Sequence, residues 1–185
     1  ISNKNQLRQL IVSKRYKNSI VINDNLPLLS FACNDYLSLS TDKRLKDAAH
    51  KATTKYGTGS GASRLITGNN PLYHELENNL SNMKKTEACI VFGSGFLANL
   101  GVISALANKN DLVLIDSLCH SSSFLGTKLT LAKVVTYKHD SIIDLEKKII
   151  KYRKKYNKCM IVTEGVFSMD GDISSQEEIS YLKDK

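Results

Sequence analysis

The segment Cys89-Ile-Val-Phe-Gly93-Ser-Gly95-Phe-Leu-Ala-Asn99 runs from an apolar stretch through two glycines directly into a helix-forming stretch. A strand, a glycine turn and a helix start in that order leave the first backbone N–H groups of the helix unpaired and facing outward. Glycine lets an anion approach that backbone closely, and the helix dipole favours its charge. Ser94 adds a hydroxyl donor, so the turn reads as a phosphate site. Gly93-x-Gly95-x-x-Ala98 also fits the dinucleotide fingerprint, and Asp116 stands near the position of a ribose-holding carboxylate. A plain glycine turn between strand and helix is the third reading.

Asp116-Ser-Leu-Cys-His120-Ser-Ser-Ser123 follows an expected parallel strand, at the carboxyl edge where open sheets bind ligands. Thr163-Glu164-Gly-Val-Phe-Ser168-Met-Asp170-Gly-Asp172 ends another such strand and crowds three carboxylates and a serine into ten residues. Its spacing does not match a calcium hand. It reads as a polar active-site loop or as a turn capping the next helix. Gly57-Thr-Gly-Ser-Gly-Ala-Ser63 repeats a Gly-x-Gly-x-x-Ala pattern, but a helix precedes it, so the dinucleotide reading fails on context. It is a loop, either tightly packed or covering a site. His50, His74 and His139 carry less support than His120.

The elements that must position these residues alternate. Residues 3–10 read as a short helix, and Ile20–Ile22 and Leu28–Phe31 as strands around a polar turn. Asp42–Tyr56 is a helix stopped by Gly57, and Asn70-Pro71 opens the next with a cap and a first-turn proline. Then follow strand Ala88–Phe92, helix Phe96–Ala107, strand Leu112–Ile115, helix Ser121–Leu131 and strand Lys133–Tyr137. Helix Ile142–Tyr156, strand Cys159–Thr163 and a helix from Gln176 complete the series. Apolar strands alternating with helices imply a mostly parallel sheet covered on both faces.

With 185 residues, 42% of them hydrophobic, the chain can build one sizeable core, or one domain and part of another. It starts without methionine and ends on charged residues that do not look like a domain boundary, as a truncated sequence would. The net charge of +8 and pI of about 9.3 raise the question of nucleic acid or anionic ligands. The dense run at Lys147–Lys158, however, interleaves Ile149, Ile150, Tyr152 and Tyr156 at helical spacing and reads as a solvated helix face. Neither nucleic acid nor a membrane is expected as a partner: no apolar run approaches the roughly 20 residues of a membrane span. Cys33, Cys89, Cys119 and Cys159 show no metal-ligand spacing and read as buried thiols of a reducing, cytoplasmic compartment.

The quoted stretches occur together and in this order with Asn34-Asp-Tyr-Leu37, Tyr56-Gly-Thr-Gly-Ser-Gly-Ala-Ser-Arg64, and Gly68 followed by His74-Glu-Leu-Glu77. In this the sequence resembles the alpha-oxoamine synthases, fold-type I enzymes that use pyridoxal 5'-phosphate (PLP), over nearly its whole length. Ser63-Arg-Leu-Ile-Thr-Gly68 is most similar to the members that make an oxononanoate. The resemblance implies an α/β, aspartate aminotransferase-like large domain with a mostly parallel sheet and helices on both faces, here truncated. Residues 1–40 would be the N-terminal segment of the small domain and linker, and 41–185 the N-terminal part of the PLP-binding domain. It implies a decarboxylative condensation of L-alanine with a pimeloyl thioester, of CoA or acyl carrier protein, in biotin synthesis, by a homodimer. The alternatives are another family member such as a glycine C-acetyltransferase, or an NAD-binding oxidoreductase using Gly93–Asp116.

By position, the resemblance places Gly95 and Phe96, with Ser94, on the cofactor phosphate. It places His120 on the pyridine ring, in catalytic and substrate-contacting roles, Ser168 on the cofactor and Arg8 on the substrate. Cys119 stands where a small or polar residue is more usual, and Ser121 replaces a frequent alanine. The family's pyridine-pairing aspartate and Schiff-base lysine fall downstream of Lys185, so the 185 residues alone are not expected to turn over substrate.

Overall fold

A computed structural model describes residues 10–16, 19–22 and 26–184. The chain divides into two compact units, Ile1–His74 and Glu75–Lys185. The expected helix at 3–10 and Arg8 lie outside the described residues.

The first unit holds a three-stranded antiparallel sheet, β1 (Ser13–Tyr16), β2 (Ser19–Ile22) and β3 (Leu28–Leu29), in that order. β1 was not anticipated. Ser-Lys-Arg-Tyr has no apolar alternation and all four side chains are exposed; its ladder to β2, from Ser13↔Ile22 to Tyr16↔Ser19, makes it a strand. Helix α1 (Lys43–Tyr56) starts where the Asp42 carboxylate accepts from Arg44 N–H at 2.8 Å. It stops where Gly57, at φ +82°, donates its N–H to Thr53 O at 2.8 Å. The glycine-rich loop that follows is closed by Gly68, where an added Cβ would meet Ala62 O at 1.8 Å. Arg64 Nε donates to Asn69 Oδ1 at 2.9 Å, and Asn69 Nδ2 lies 2.9 Å from His74 Nε2. These contacts give Arg64, Gly68 and His74 packing roles within this unit. Helix α2 (Pro71–Lys84) begins with Asn70 Oδ1 accepting from Leu72 N–H at 3.0 Å.

The second unit carries the parallel sheet, β4 (Leu112–Asp116), β5 (Lys133–Tyr137) and β6 (Cys159–Val162), with β4 in the centre. Helix α3 (Gly95–Leu106) precedes β4, α4 (Ser121–Leu129) joins β4 to β5, α5 (Ile142–Tyr152) joins β5 to β6, and α6 (Gln176–Asp184) follows. Strand alternation sends successive β4 side chains to opposite faces. Leu112 and Leu114 pack with Tyr137, Leu145 and Ile149 on the α5 and α6 side. Ile115 packs with Cys119, Phe124 and Phe167 on the α4 side. Helices thus cover both faces, as parallel strands require. The expected strand at Ala88–Phe92 is absent from the described ladders; Val91 N–H donates instead to the Glu77 carboxylate at 2.9 Å. An apolar run becomes a strand only where a neighbour completes its hydrogen bonds, and no described strand does so here.

Of the four cysteines, only Cys119 is buried; Cys33, Cys89 and Cys159 are half-buried and all are free, which corrects the expectation of four buried thiols. Cys159 is on an edge strand and Cys89 on the unpaired run, so neither is enclosed on all sides. Lys147, Lys151, Lys154, Lys155 and Lys158 are exposed, while Leu145 and Ile149 face the core, so the basic run is a solvated face. Among the described residues no helix is long and apolar enough to cross a membrane.

Candidate functional site

The chain leaves β4 to one side for β5 and returns on the other side as β6. At such a reversal the two crossover helices lie on opposite faces, and a crevice opens beyond the carboxyl ends of the strands. An open cavity of about 480 Å³ lies at that edge and runs down between α3 and β6. His120 enters it from the loop after β4, Thr163, Glu164 and Ser168 from the loop after β6, and Asn99 from α3. Two residues expected at the site from sequence, His120 and Ser168, are therefore brought together although 48 positions apart.

His120 is the N-cap of α4, and its Nδ1 accepts from Ser122 N–H at 3.2 Å. The Ser122 hydroxyl lies 2.6 Å from the same Nδ1, and Asn99 Nδ2 donates to Ser122 Oγ at 2.9 Å. An Nδ1 that accepts leaves the proton on Nε2. His120 thus carries an N–H donor on Nε2, the ring nitrogen not used in the cap. Its backbone N–H donates to Glu164 Oε1, which ties the two loops across the crevice. Burial, then Glu164 and Asp116, push the Cys119 thiol up to about 12 and keep it neutral beside them.

Ser94, Gly95 and Phe96 sit at the start of α3, less than two turns before Asn99, and do not line the cavity itself. Ser94 Oγ accepts from Leu97 N–H at 3.2 Å, and Ser94 O from Ala98 N–H at 3.0 Å. The Gly95 and Phe96 amides come earlier than any intrahelical acceptor. Gly95 is not in the left-handed region, and an added Cβ would meet nothing within 4 Å. Neither backbone conformation nor internal packing demands glycine there. Glycine leaves open space at the helix start, where the Gly95 and Phe96 amides have no intrahelical acceptor.

Asp116 is fully buried and its carboxylate is used internally. Oδ1 accepts from Leu118 N–H at 2.8 Å and faces His139 Nδ1 at 3.0 Å, while Oδ2 accepts from Asp140 N–H at 2.8 Å. This leaves the dinucleotide reading without its ribose-holding carboxylate. The three carboxylates of the 164–172 stretch do not converge either. Glu164 holds His120, Asp172 holds His139 at 2.6 Å, and Asp170 is exposed. Sequence reasoning underrated His139; the available signal was its place two residues past β5, on the edge that carries His120. Ser122 had no such signal, since it acts through His120; Asn99 closed the quoted glycine-turn segment but was given no role of its own.

Residues 27–185 match the family model described as aminotransferase class I and II. The 8-amino-7-oxononanoate synthase of Beijerinckia indica is 48% identical over 151 residues, which is 82% of this chain and 39% of that protein. A serine palmitoyltransferase from S. paucimobilis, solved with a bound PLP–myriocin aldimine, superposes with a TM-score of 0.90 at 31% identity, over 95% of this chain and 44% of that one. The 8-amino-7-oxononanoate synthase of Francisella tularensis superposes with a TM-score of 0.66 at 33% identity, over 82% of this chain and 41% of that one. The chain spans less than half the length of the curated relatives it matches.

Proposed function

The chain belongs to the aminotransferase class I and II family, and on that premise we propose that the whole protein is a PLP-dependent acyltransferase of the alpha-oxoamine synthase type. Its reaction is the condensation of L-alanine with a pimeloyl thioester, of CoA or acyl carrier protein, to 8-amino-7-oxononanoate, with loss of carbon dioxide and the thiol. The observation that carries this reading is the joining of an open glycine cradle, at Gly95, to a helix whose Asn99 lines the same cavity as His120 and Ser168. The relatives' names favour alanine and a pimeloyl thioester over the glycine-using members.

The residues present fit the cofactor. The amides of Gly95 and Phe96, with the Ser94 hydroxyl nearby, suit a phosphate. The flat face of His120 suits the pyridine ring, and Ser168 lies in reach of the same cavity. When bound, PLP supplies an electron sink for loss of the substrate's alpha proton. This chain's own residues bind and orient. His120 offers an Nε2–H donor to a developing or existing oxyanion. Glu164 holds the backbone of His120, and Asn99 holds Ser122 so that the ring does not turn. Val102, Ile103 and Ile161 give the cavity an apolar side.

Arg8 is proposed as a substrate contact on resemblance alone. Residues 1–40 are assigned to the small domain and linker and 41–185 to the PLP-binding domain, in a cytoplasmic homodimer. Because the chain spans less than half the length of its relatives, the activity is proposed for the whole protein. The test is the full-length protein with PLP, alanine and pimeloyl thioester, read by mass spectrometry of the product. Product with alanine but not with glycine supports the reading. Product only with glycine and a short acyl thioester moves it to a glycine C-acetyltransferase, and binding of NAD in place of PLP overturns it.

A further inference from the structure

His139 has both ring nitrogens against carboxylates, Nδ1 at 3.0 Å from Asp116 Oδ1 and Nε2 at 2.6 Å from Asp172 Oδ2. A neutral imidazole has one N–H and one lone pair, so it can satisfy only one of the two. With the ring neutral, a lone pair would face a carboxylate; with the ring charged, both contacts are charge-assisted hydrogen bonds. The three residues come from three places: Asp116 from the end of β4, His139 from the turn after β5, and Asp172 from the loop after β6.

The same turn grips that loop a second time. Asp140 donates its N–H to Asp116 Oδ2 at 2.8 Å and accepts from Ser175 N–H at 2.9 Å and Ser175 Oγ at 3.1 Å. Asp140 sits at φ +43°, in the left-handed region that aspartate tolerates better than most residues. Ahead of these grips the loop folds on itself. Phe167 N–H donates to Asp172 O at 2.9 Å, Gly171 N–H to Phe167 O at 2.8 Å, and Val166 bridges Ile173. The buried Phe167 ring meets the edge of His139 with centroids 4.4 Å apart. This loop carries Glu164 and Ser168 into the cavity.

We propose that His139, as an imidazolium held between Asp116 and Asp172, is the clasp that keeps the 164–175 loop on the carboxyl edge of the sheet, and is thereby a positioning residue for Glu164, Ser168 and, through Glu164, His120. Its bearing on catalysis rests on the reading of the cavity as the active site; the clasp itself does not.

The charged groups that act on the ring are Asp116 from the end of β4 and Asp172 from the loop after β6, with the uncharged Phe167 ring against it and the exposed Lys138 next to it in the chain. The hydrogen bonds to Asp116 and Asp172 raise the His139 pKa. A group raised in this way contributes its stabilisation in full below its ordinary value near 6.5, and loses it as pH climbs through the raised value. The clasp therefore holds in full below the ordinary imidazole value and opens as pH climbs through the raised one.

The test is amide hydrogen exchange of the full-length protein, corrected for intrinsic pH dependence, alongside 15N shifts of the His139 ring. Wild type should lose about tenfold in protection at Phe167, Gly171 and Ser175 as His139 titrates, while the amides of β4 keep theirs. His139→Gln should show the low protection at every pH. Asp172→Asn should behave alike, and since the Asp172 side chain is 40% exposed, this variant is the one more tolerant of folding. Wild-type protection that is flat through the His139 titration overturns the proposal, as does a wild-type level of loop protection in either variant at about pH 6, below the ordinary imidazole value. Neither readout involves turnover, so failure here is distinguishable from failure of the proposed reaction.

Discussion

Replacing Gly95 by alanine separates what a glycine does for the fold from what it does for a ligand. The backbone of Gly95 is ordinary helix, and the new methyl would meet no atom within 4 Å. The unliganded protein should then be as stable as wild type or better by about 0.4–1 kcal/mol, because alanine restricts the unfolded chain. On the proposed reading, the same methyl takes up space beside the amides that a bound phosphate needs. Losing one hydrogen bond to a charged phosphate is worth about 1.5–3 kcal/mol, or roughly a 10- to 150-fold weaker Kd. The assay is a fluorescence titration of the full-length protein with PLP and with pyridoxal, which lacks the phosphate, beside urea unfolding without ligand. Gly95→Ala should lose most of the preference for PLP over pyridoxal and keep its unfolding midpoint. Gly126→Ala provides the contrast. Its Cβ would lie 2.8 Å from Asn99 O and 3.1 Å from Ile103 Cδ1, where α3 and α4 touch. It should unfold more easily by about 1–3 kcal/mol. If Gly95→Ala proves as destabilised as Gly126→Ala, or binds PLP as wild type does, the reasoning about the cradle is wrong.

The hydrogen bonds at His120 predict that its 15N shifts, in the protein without ligand, show a bare Nδ1 and a protonated Nε2; Ser122→Ala should keep that tautomer, because its backbone N–H still donates to Nδ1, and a predominantly Nδ1-protonated wild type would contradict the geometry. Cysteine chemistry should follow the electrostatics: a backbone hydrogen bond from Asp35, with help from Arg15, lowers the Cys33 pKa, while burial raises that of Cys119. Cys33 should therefore be the first thiol alkylated near pH 8 and Cys119 should resist until the protein unfolds; comparable rates for the two would refute this.

Much of the architecture was legible because its signals are local. Asp42, Asn70 and Gly57 cap helices by contacts within four residues of themselves, and the apolar runs at Leu112, Lys133 and Cys159 sit in the ladders expected of them. The failures are where a neighbour decides. Ser13–Tyr16 is a strand without an apolar pattern because β2 pairs with it, and Ala88–Phe92 has the pattern but no partner among the described strands.

The site divides the same way. Residue types and order alone pointed to an anion turn at Gly93–Asn99 and to polar loops after two strands, since glycine, capping serine and strand periodicity act over a few residues. Whether Asp116 served a ribose or the protein was not a local question. Its side chain is consumed by Leu118, His139 and Asp140, and His139 reaches on to Asp172, 33 positions away. Only the reversal of strand order around β4 brings those loops to one crevice, because contacts between distant residues are set by how the sheet and its crossovers pack.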